Sequence, residues 1–202
     1  MKKTIIFVTG CLLISIIASC SSSTRLTNVW KDESFKNSGL EKFLVLGLAK
    51  ENWKKKVFEN EYVSLLKKHN VDAIAAWELL PENEELTKET FEKYFKDENI
   101  DVVLVTGETG MSTEESVWGG GASHVMVGFY GFYISTSPIY RVPGYLVEEK
   151  IIHMKIRLFE TGEGKLIWSA SSKSYEPKST SEIIKSVSWN VVDELYLDGF
   201  IN

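Results

Sequence analysis

Phe43-Leu44-Val45-Leu46-Gly47-Leu48 is an apolar segment near the start of the predicted folded domain of this 202-residue chain. A continuous apolar run of this length predicts a strand buried on both faces of a sheet. The helix predicted next, over residues 52–69, carries apolar side chains at three- and four-residue steps. A short strand (72–77), a helix after Thr87 and a third buried strand (101–105) follow. This order predicts a parallel or mixed sheet with right-handed crossovers.

The C-terminal part of the chain completes this sheet. Residues 151–159 alternate apolar and polar side chains, which predicts a half-exposed antiparallel strand. The glycine-containing turn 160–164 leads to a hairpin partner at 166–170. Ser179 is a suitable N-cap for a last amphipathic helix, and Gly199 a suitable residue after its end. The predicted fold class is α/β (α+β in looser terms): a mixed sheet built from βαβαβ, an antiparallel hairpin and a C-terminal helix.

The N-terminus is typical of an export signal. Lys2 and Lys3 precede an apolar run over residues 5–17, and small residues follow it. The run is shorter than the ~20 residues of a spanning helix, so residues 1–19 are predicted to be a signal peptide.

The end of that signal, Ile17-Ala18-Ser19-Cys20, resembles the lipobox of bacterial lipoproteins. The resemblance implies that the Cys20 sulfur receives a diacylglyceryl group, that cleavage occurs before Cys20, and that its new amino group is acylated. Several acyl chains would hold the protein at a membrane. Ser21 resembles the residue that leads such lipoproteins to the outer membrane, with the domain facing the periplasm. An ordinary secretory signal ending near a cysteine is the alternative.

Composition sets further bounds on the exported chain. The 23 basic and 28 acidic residues include Lys2 and Lys3, so the mature charge is 21 minus 28, or −7. An acidic chain makes nucleic acid an improbable partner. The two cysteines are Cys11, which leaves with the signal, and Cys20, so no disulfide is expected. Residues 20–40 are predicted to be a lipidated tether and 41–202 a single α/β domain with an aromatic and glycine-rich insertion at 107–149.

The element order and the hairpin sequence Glu-Thr-Gly-Glu-Gly-Lys-Leu-Ile-Trp-Ser (residues 160–169) resemble a set of periplasmic lipoprotein domains. The set includes the curli secretion channel lipoprotein, the lipoprotein activators of penicillin-binding proteins and the amino-terminal domain of the Tol translocation protein. The resemblance implies a strand-helix sheet completed by a hairpin and a terminal helix. It transfers no binding residue.

A search for catalytic chemistry finds no constellation. The Gly164-Lys165 pair lacks the glycine and the hydroxyl residue of a phosphate-binding loop, and no Gly-x-Ser-x-Gly occurs. The three histidines, His69, His124 and His153, are scattered, so no metal site and no cofactor are predicted. The expected protein is not an enzyme.

The remaining unusual segment is the insertion, which is dense in both glycine and aromatic residues. Seven of its aromatic residues are predicted to bind a partner: Trp118, Phe129, Tyr130, Phe132, Tyr133, Tyr140 and Tyr145. Large rigid rings bury much area at small entropic cost, which suits an interface. Three interpretations remain open: a hairpin packed on its own domain, a docking loop for an envelope protein or a second copy, and membrane insertion as the curli resemblance suggests.

The leading hypothesis is a non-enzymatic, membrane-anchored interaction or assembly module of the bacterial cell envelope. The alternative is a binding protein or hydrolase for an envelope small molecule, with its pocket between the insertion and the sheet edge. A deep apolar pocket with convergent polar groups would favour the alternative, and a protruding ribbon would favour docking.

Overall fold

The computed structural model describes residues 24–35, 40–82, 84, 87–118 and 145–202. Six strands and four helices follow one another along this part of the chain. In order they are β1 (Thr24–Lys31), β2 (Lys42–Leu48), α1 (Asn52–Lys68), β3 (Asp72–Ala75), α2 (Ala76–Leu79), α3 (Lys88–Phe95), β4 (Val102–Trp118), β5 (Tyr145–Glu160), β6 (Leu166–Tyr175) and α4 (Thr180–Leu197).

The strands form one six-stranded mixed sheet in the order β1-β6-β5-β4-β2-β3. Strand β2 is parallel to both β3 and β4, whereas β4, β5, β6 and β1 pair antiparallel in turn. The prediction of a mixed sheet from βαβαβ, a hairpin and a terminal helix is confirmed.

Two of the helices begin at capping side chains, and two end at residues in the left-handed backbone region. The Thr87 hydroxyl accepts a hydrogen bond from Thr90 N, and the Ser179 hydroxyl accepts one from Glu182 N, so both helices have a side-chain N-cap. Asn70 (φ 58°) ends α1 and Gly199 (φ 80°) ends α4 in the left-handed region, which asparagine and glycine tolerate.

The main core lies between the sheet and the helices α1 and α4. Trp168, Tyr62 and Leu104 are its largest fully buried members on β6, α1 and β4. A smaller cluster on the other face of the parallel strands includes Leu44 and Phe95, so α3 covers that face at β2, β3 and β4. Over β1, β5 and β6, no helix among the described residues joins either cluster on that side, and we call this surface the open face.

Part of the predicted tether is wrong. Residues 24–31 form strand β1, which pairs antiparallel with β6 from Thr24↔Ser174 to Lys31↔Trp168. The Thr24 hydroxyl lies 2.7 Å from those of Ser174 and Ser186, and Phe35 stacks on Phe200 with ring centroids 6.1 Å apart. Strand β1 forms because the outer edge of β6 offers a free row of backbone donors and acceptors. Pairing through the main chain does not require alternating apolar side chains, so no such pattern marks β1 in the sequence. The tether predicted for residues 20–40 therefore does not include residues 24–31.

The boundaries of the insertion also change. Of the predicted 107–149 insertion, residues 107–118 belong to β4 and residues 145–149 to β5, and these two strands are paired. Residues 119–144, and with them Phe129, Tyr130, Phe132, Tyr133 and Tyr140, lie outside the described residues. Cys20 and the predicted signal peptide lie outside them as well.

Candidate functional site

Strands β4 and β5 extend well past the rest of the sheet. Strand β2 leaves β4 at Gly107, and β6 leaves β5 at Ile151. Pairing between β4 and β5 nevertheless continues to Trp118↔Tyr145. We call the two-stranded part, residues 113–118 and 145–150, the ribbon. Its six residue pairs span about 20 Å at a rise of ~3.4 Å per residue.

The base of the ribbon contacts the end of β6. The Glu176 carboxylate accepts a hydrogen bond from Lys150 N, and Glu176 N donates to Lys150 O at 2.8 Å. Lys173 Nζ lies 3.1 Å from Glu114 Oε1 across the same corner. These contacts join the ribbon to the end of β6.

A β-bulge marks where the ribbon leaves the body of the sheet. The register of β4 against β5 shifts between Glu108 and Gly110, so Thr109 is the extra residue. Gly110 has φ 153°, a backbone conformation that residues other than glycine rarely adopt. Bulges increase the local twist and re-aim a strand, so this one sets the direction of the ribbon. No pattern in the sequence identified it.

The predicted partner-binding residues that can be located lie at the ribbon tip. Trp118 and Tyr145 are directly opposite each other in the last pair of the ladder. They therefore join residues 119–144 to the end of the ribbon. The five other predicted aromatic residues lie in that segment, and their role stays a prediction.

A cleft of about 540 Å³ lies at the carboxyl ends of β2 and β3. This is the edge of a parallel sheet at which ligands commonly bind. Its walls combine apolar residues such as Leu46 and Leu80 with the polar side chains of Asn52, Lys55 and Glu59.

Glu59 is the unusual residue of this cleft. Its side chain is 2% exposed, and its two carboxylate oxygens accept hydrogen bonds from Gly47 N (2.9 Å) and Trp77 N (2.8 Å). Burial raises the pKa of this carboxyl above its ordinary value, against the lowering effect of the two backbone donors. Glu59 thus connects the end of β2 to the start of α2. The sequence did not reveal this role, because Glu59 reads as one more charge on an amphipathic helix.

One ion pair and one aromatic ring lie at the cleft rim. Lys56 Nζ lies 2.6 Å from Glu82 Oε1 and 5.3 Å from the Trp77 ring centre, and Trp77 Nε1 donates to Asn60 Oδ1 at 2.9 Å. Both Glu59 oxygens already accept backbone hydrogen bonds. The arrangement suits binding of a small molecule better than proton transfer, which needs a group free to exchange its proton.

The two histidines in the described part of the chain, His69 and His153, have different neighbours and do not form a common site. His69 packs on Tyr196 at the end of α1, with ring centroids 5.6 Å apart, and His153 Nε2 lies 2.7 Å from the Ser112 hydroxyl. His124 lies outside the described residues. Within residues 24–35, 40–82, 84, 87–118 and 145–202, no three His, Cys, Asp or Glu side chains are grouped so that they could hold a metal ion. None of the helices in these ranges is long and apolar enough to cross a bilayer.

No protein-family model matches the chain, and no curated protein matches it in sequence. Solved structures do resemble it. The PelC dodecamer from Paraburkholderia phytofirmans is 11% identical with a TM-score of 0.46, over 84% of this chain and 95% of that one. Lipoprotein GNA1162 from Neisseria meningitidis is 15% identical with a TM-score of 0.36, over 78% of this chain and 99% of that one.

A third similar structure is a PDZ domain protein from Parabacteroides distasonis, 12% identical with a TM-score of 0.42. The likeness covers 90% of this chain and 38% of that protein. Likenesses at these identities and TM-scores carry no function over to this chain.

Proposed function

We propose that this protein is a non-enzymatic interaction or assembly module of the bacterial envelope, anchored through lipid on Cys20, which engages an envelope protein or a second copy through the ribbon. The ribbon is the observation that carries the proposal. It continues the β4–β5 ladder about 20 Å beyond the other strands of the sheet and ends at the backbone pair Trp118–Tyr145.

The edges of the ribbon support this function. Beyond Gly107 and Ile151, each ribbon strand pairs on one side only within the described part of the chain. A two-stranded antiparallel unit is marginally stable alone in water, and free strand edges readily accept another strand. A partner strand on either edge would add main-chain hydrogen bonds and order the ribbon.

The direction of β1 supports a location near the membrane. Strand β1 runs opposite to β4, so Thr24 lies at the same end of the sheet as the base of the ribbon. Cys20 precedes Thr24 by four residues, which reach at most ~14 Å. A lipid on Cys20 would therefore hold the ribbon end of the body close to the bilayer. Ser21 makes the periplasmic face of the outer membrane the proposed location.

Site-specific crosslinking tests the docking role. Because Cys20 is the one cysteine after the signal, an introduced cysteine can carry a photo-crosslinker without ambiguity. Glu148→Cys places it on an exposed ribbon position, and Glu163→Cys places it on the exposed turn at the opposite end of the sheet. We expect adducts in intact cells from position 148 and none from 163. Equal labelling at both positions, or none at 148, would contradict the docking role.

A tip replacement separates the ribbon from residues 119–144. Because Trp118 and Tyr145 are directly paired, a two-residue Asn-Gly turn can join them in place of residues 119–144. We expect this variant to keep its thermal unfolding midpoint and lose the adducts formed from Glu148→Cys. Unchanged adducts would mean that residues 119–144 take no part in docking.

The anchor has its own test. Cys20→Ala should abolish incorporation of radioactive palmitate in cells, because it removes the acceptor sulfur. Persistent labelling would contradict the lipoprotein assignment and leave the ribbon experiment unaffected.

The cleft beside Glu59 favours a second candidate function, the binding of an envelope small molecule. Its 540 Å³ and its mixture of apolar walls and polar groups lie within the usual range for ligand sites. The discriminating measurement is a thermal-shift screen with envelope metabolites, comparing the chain with a Leu46→Trp variant that fills the cleft. A ligand that stabilises the first and not the second would establish binding there.

A further inference from the structure

The open face of the sheet has a charge opposite to that of the whole chain. The chain carries a net charge of −5. Four cationic side chains nevertheless share the open-face side of three neighbouring strands: Arg25 on β1, Lys173 on β6, and Lys155 and Arg157 on β5. Their neighbours on this face include the hydroxyl residues Thr27 and Ser171 as well as His153 and Trp30. One carboxylate, that of Glu114, lies beside Lys173.

These cations are largely without counter-ions. Glu114 reaches Lys173 at 3.1 Å, but no ion pair among the described residues includes Arg25, Lys155 or Arg157, and all three are exposed. Arg25 lies directly opposite Lys173 in the β1–β6 ladder. Like charges in that relation destabilise a sheet, and the Glu114 carboxylate offsets this at Lys173 but forms no ion pair with Arg25. Side-chain choices that work against the fold are most often found where a protein binds something.

A depression of about 400 Å³ lies among these residues. It is lined by Lys155, Lys173, His153 and the hydroxyls of Thr27 and Ser171, and no carboxylate of the described residues lines it. Bulges in β1 and β4 flank it, at Asn28 and Thr109. Two ammonium groups, an imidazole and hydroxyl donors suit an anionic oxygen-rich group such as a phosphate.

We propose that the open face binds the anionic phosphate headgroups of the membrane to which the protein is anchored. The position of the anchor selects this occupant over other anions. Arg25 is five residues from Cys20, so the edge of the face lies within ~17 Å of the proposed lipid. Trp30, 47% exposed on the same face, is a residue type enriched at membrane–water interfaces. A lipid chain combined with a basic surface is the usual way of obtaining stable membrane attachment.

This proposal deepens the proposed function and rests on it for the position of the anchor. With the open face on the bilayer, the strands of the body lie along the membrane, and the ribbon starts at the membrane surface. The free ribbon edges would then meet another protein held on the same membrane. The open face thus restricts docking to partners at the bilayer surface.

Vesicle co-sedimentation tests the proposal without the anchor. The chain from Ser21 to Asn202 contains every described element, so it retains the complete fold. It is mixed with vesicles of 30% phosphatidylglycerol in phosphatidylcholine, or of phosphatidylcholine alone, at about 0.1 M salt. We expect binding to the first and not the second, declining as salt rises because exposed charges are screened.

A charge variant locates the binding. Arg25→Gln, Lys155→Gln and Arg157→Gln together remove three exposed cations that have no ion pair within residues 24–35, 40–82, 84, 87–118 and 145–202. We expect affinity for the anionic vesicles to fall on the order of 100-fold, since each basic residue near such a surface contributes roughly a fivefold factor. The matched control removes the same charge from helices α1 and α4, at the exposed residues Lys67, Lys68 and Lys185. It should bind as the parent does, and circular dichroism checks that all three proteins are folded.

Three outcomes would overturn the proposal: no binding of the parent to anionic vesicles, equal binding to both vesicle types, or equal losses in the two variants. If the parent ignores vesicles but the open-face variant loses an envelope-protein adduct, the face docks an acidic protein instead of lipid. The ribbon crosslinks from position 148 report separately on the proposed function, so failure of one does not imply failure of the other.

Discussion

The two halves of the β4–β5 pair are built from the same two strands and differ in everything around them. In the body, Leu104 and Leu158 face each other, both fully buried, with β2 and β6 paired alongside. In the ribbon, Thr113 and Glu148 are exposed, and no third strand among the described residues continues there. The same ladder of hydrogen bonds runs through both halves. Burial and neighbouring strands, not the ladder, therefore make the body stable.

Amide hydrogen exchange should show the largest difference between these halves. We expect amides of residues 102–107 to exchange only through global unfolding, and those of 113–118 through local opening at little cost. For a domain of ordinary stability, the protection factors should differ on the order of 10³-fold or more. Mass spectrometry of peptides from each half gives the measurement. Equal protection in the isolated chain would mean that the ribbon is already covered, and the docking proposal would lose its main support.

Matched substitutions test the same contrast energetically. Leu104→Ala creates a cavity beneath α1, so we expect a loss of about 2–5 kcal/mol in the free energy of unfolding. Thr113→Ala, on the same strand in the ribbon, should change it by less than about 0.5 kcal/mol. Urea denaturation of both variants decides the point. A large loss from the ribbon substitution would show that the ribbon belongs to the cooperative unit.

Glu59 is expected to have the next largest effect, because it connects two backbone segments inside the body. Glu59→Gln replaces one acceptor oxygen with an NH₂ group, so either Gly47 N or Trp77 N faces a donor. An unsatisfied buried donor costs about 1–3 kcal/mol. The control is Glu61→Gln on the same helix, because the described residues give the Glu61 carboxylate no backbone donor. This substitution should leave the free energy of unfolding nearly unchanged.

The pH dependence of Glu59 has a definite sign. Its folded pKa is raised above the ordinary 4.5 by desolvation, so the folded state binds the proton more tightly than the unfolded state does. The contribution of Glu59 is therefore fully present below pH 4.5 and is lost as pH rises through the raised pKa. The stability gap between parent and Glu59→Gln should narrow over that rise. A gap that widens would contradict the desolvation argument.

The sequence predicted the elements that are held by burial and missed those that are held by the backbone. Strands β2, β4 and β5 and the helices α1 and α4 carry apolar patterns, because each covers part of a core. Strand β1 has no such pattern, since it is an edge strand paired through its main chain. The ribbon half of β4 was missed for the same reason: residues 108–116 are mostly polar or glycine and give no burial signal.

The candidate site was predictable only in outline. An unusual aromatic segment was visible in the sequence, but the pairing of Trp118 with Tyr145 depends on the bulge at Thr109, and register cannot be read from one strand alone. The basic open face was invisible for another reason. Arg25, Lys173 and Lys155 come from three strands far apart in the chain and become neighbours only in the sheet.

The smallest expected effect on stability comes from removing an ion pair at the end of the sheet opposite the ribbon. Asp32, just after β1, accepts hydrogen bonds from Lys165 Nζ (2.5 Å) and from Ser34 N (2.8 Å). The Lys165 ammonium, with Ser34, lowers the pKa of this carboxyl to about 2. Because the pKa is lowered, the stabilisation by Asp32 is present above the ordinary pKa of 3.8 and is lost as pH falls through about 2.

Exposed ion pairs contribute little, so Asp32→Asn should lower the Tm slightly at pH 7, with a difference that shrinks below pH 4. Glu33→Gln is the adjacent exposed control and should leave the Tm unchanged. Hydrogen exchange of residues 113–118 should not respond to Asp32→Asn, because the ribbon is held at its own base by Glu176 and Lys173; faster exchange there would show that the two ends of the sheet are coupled.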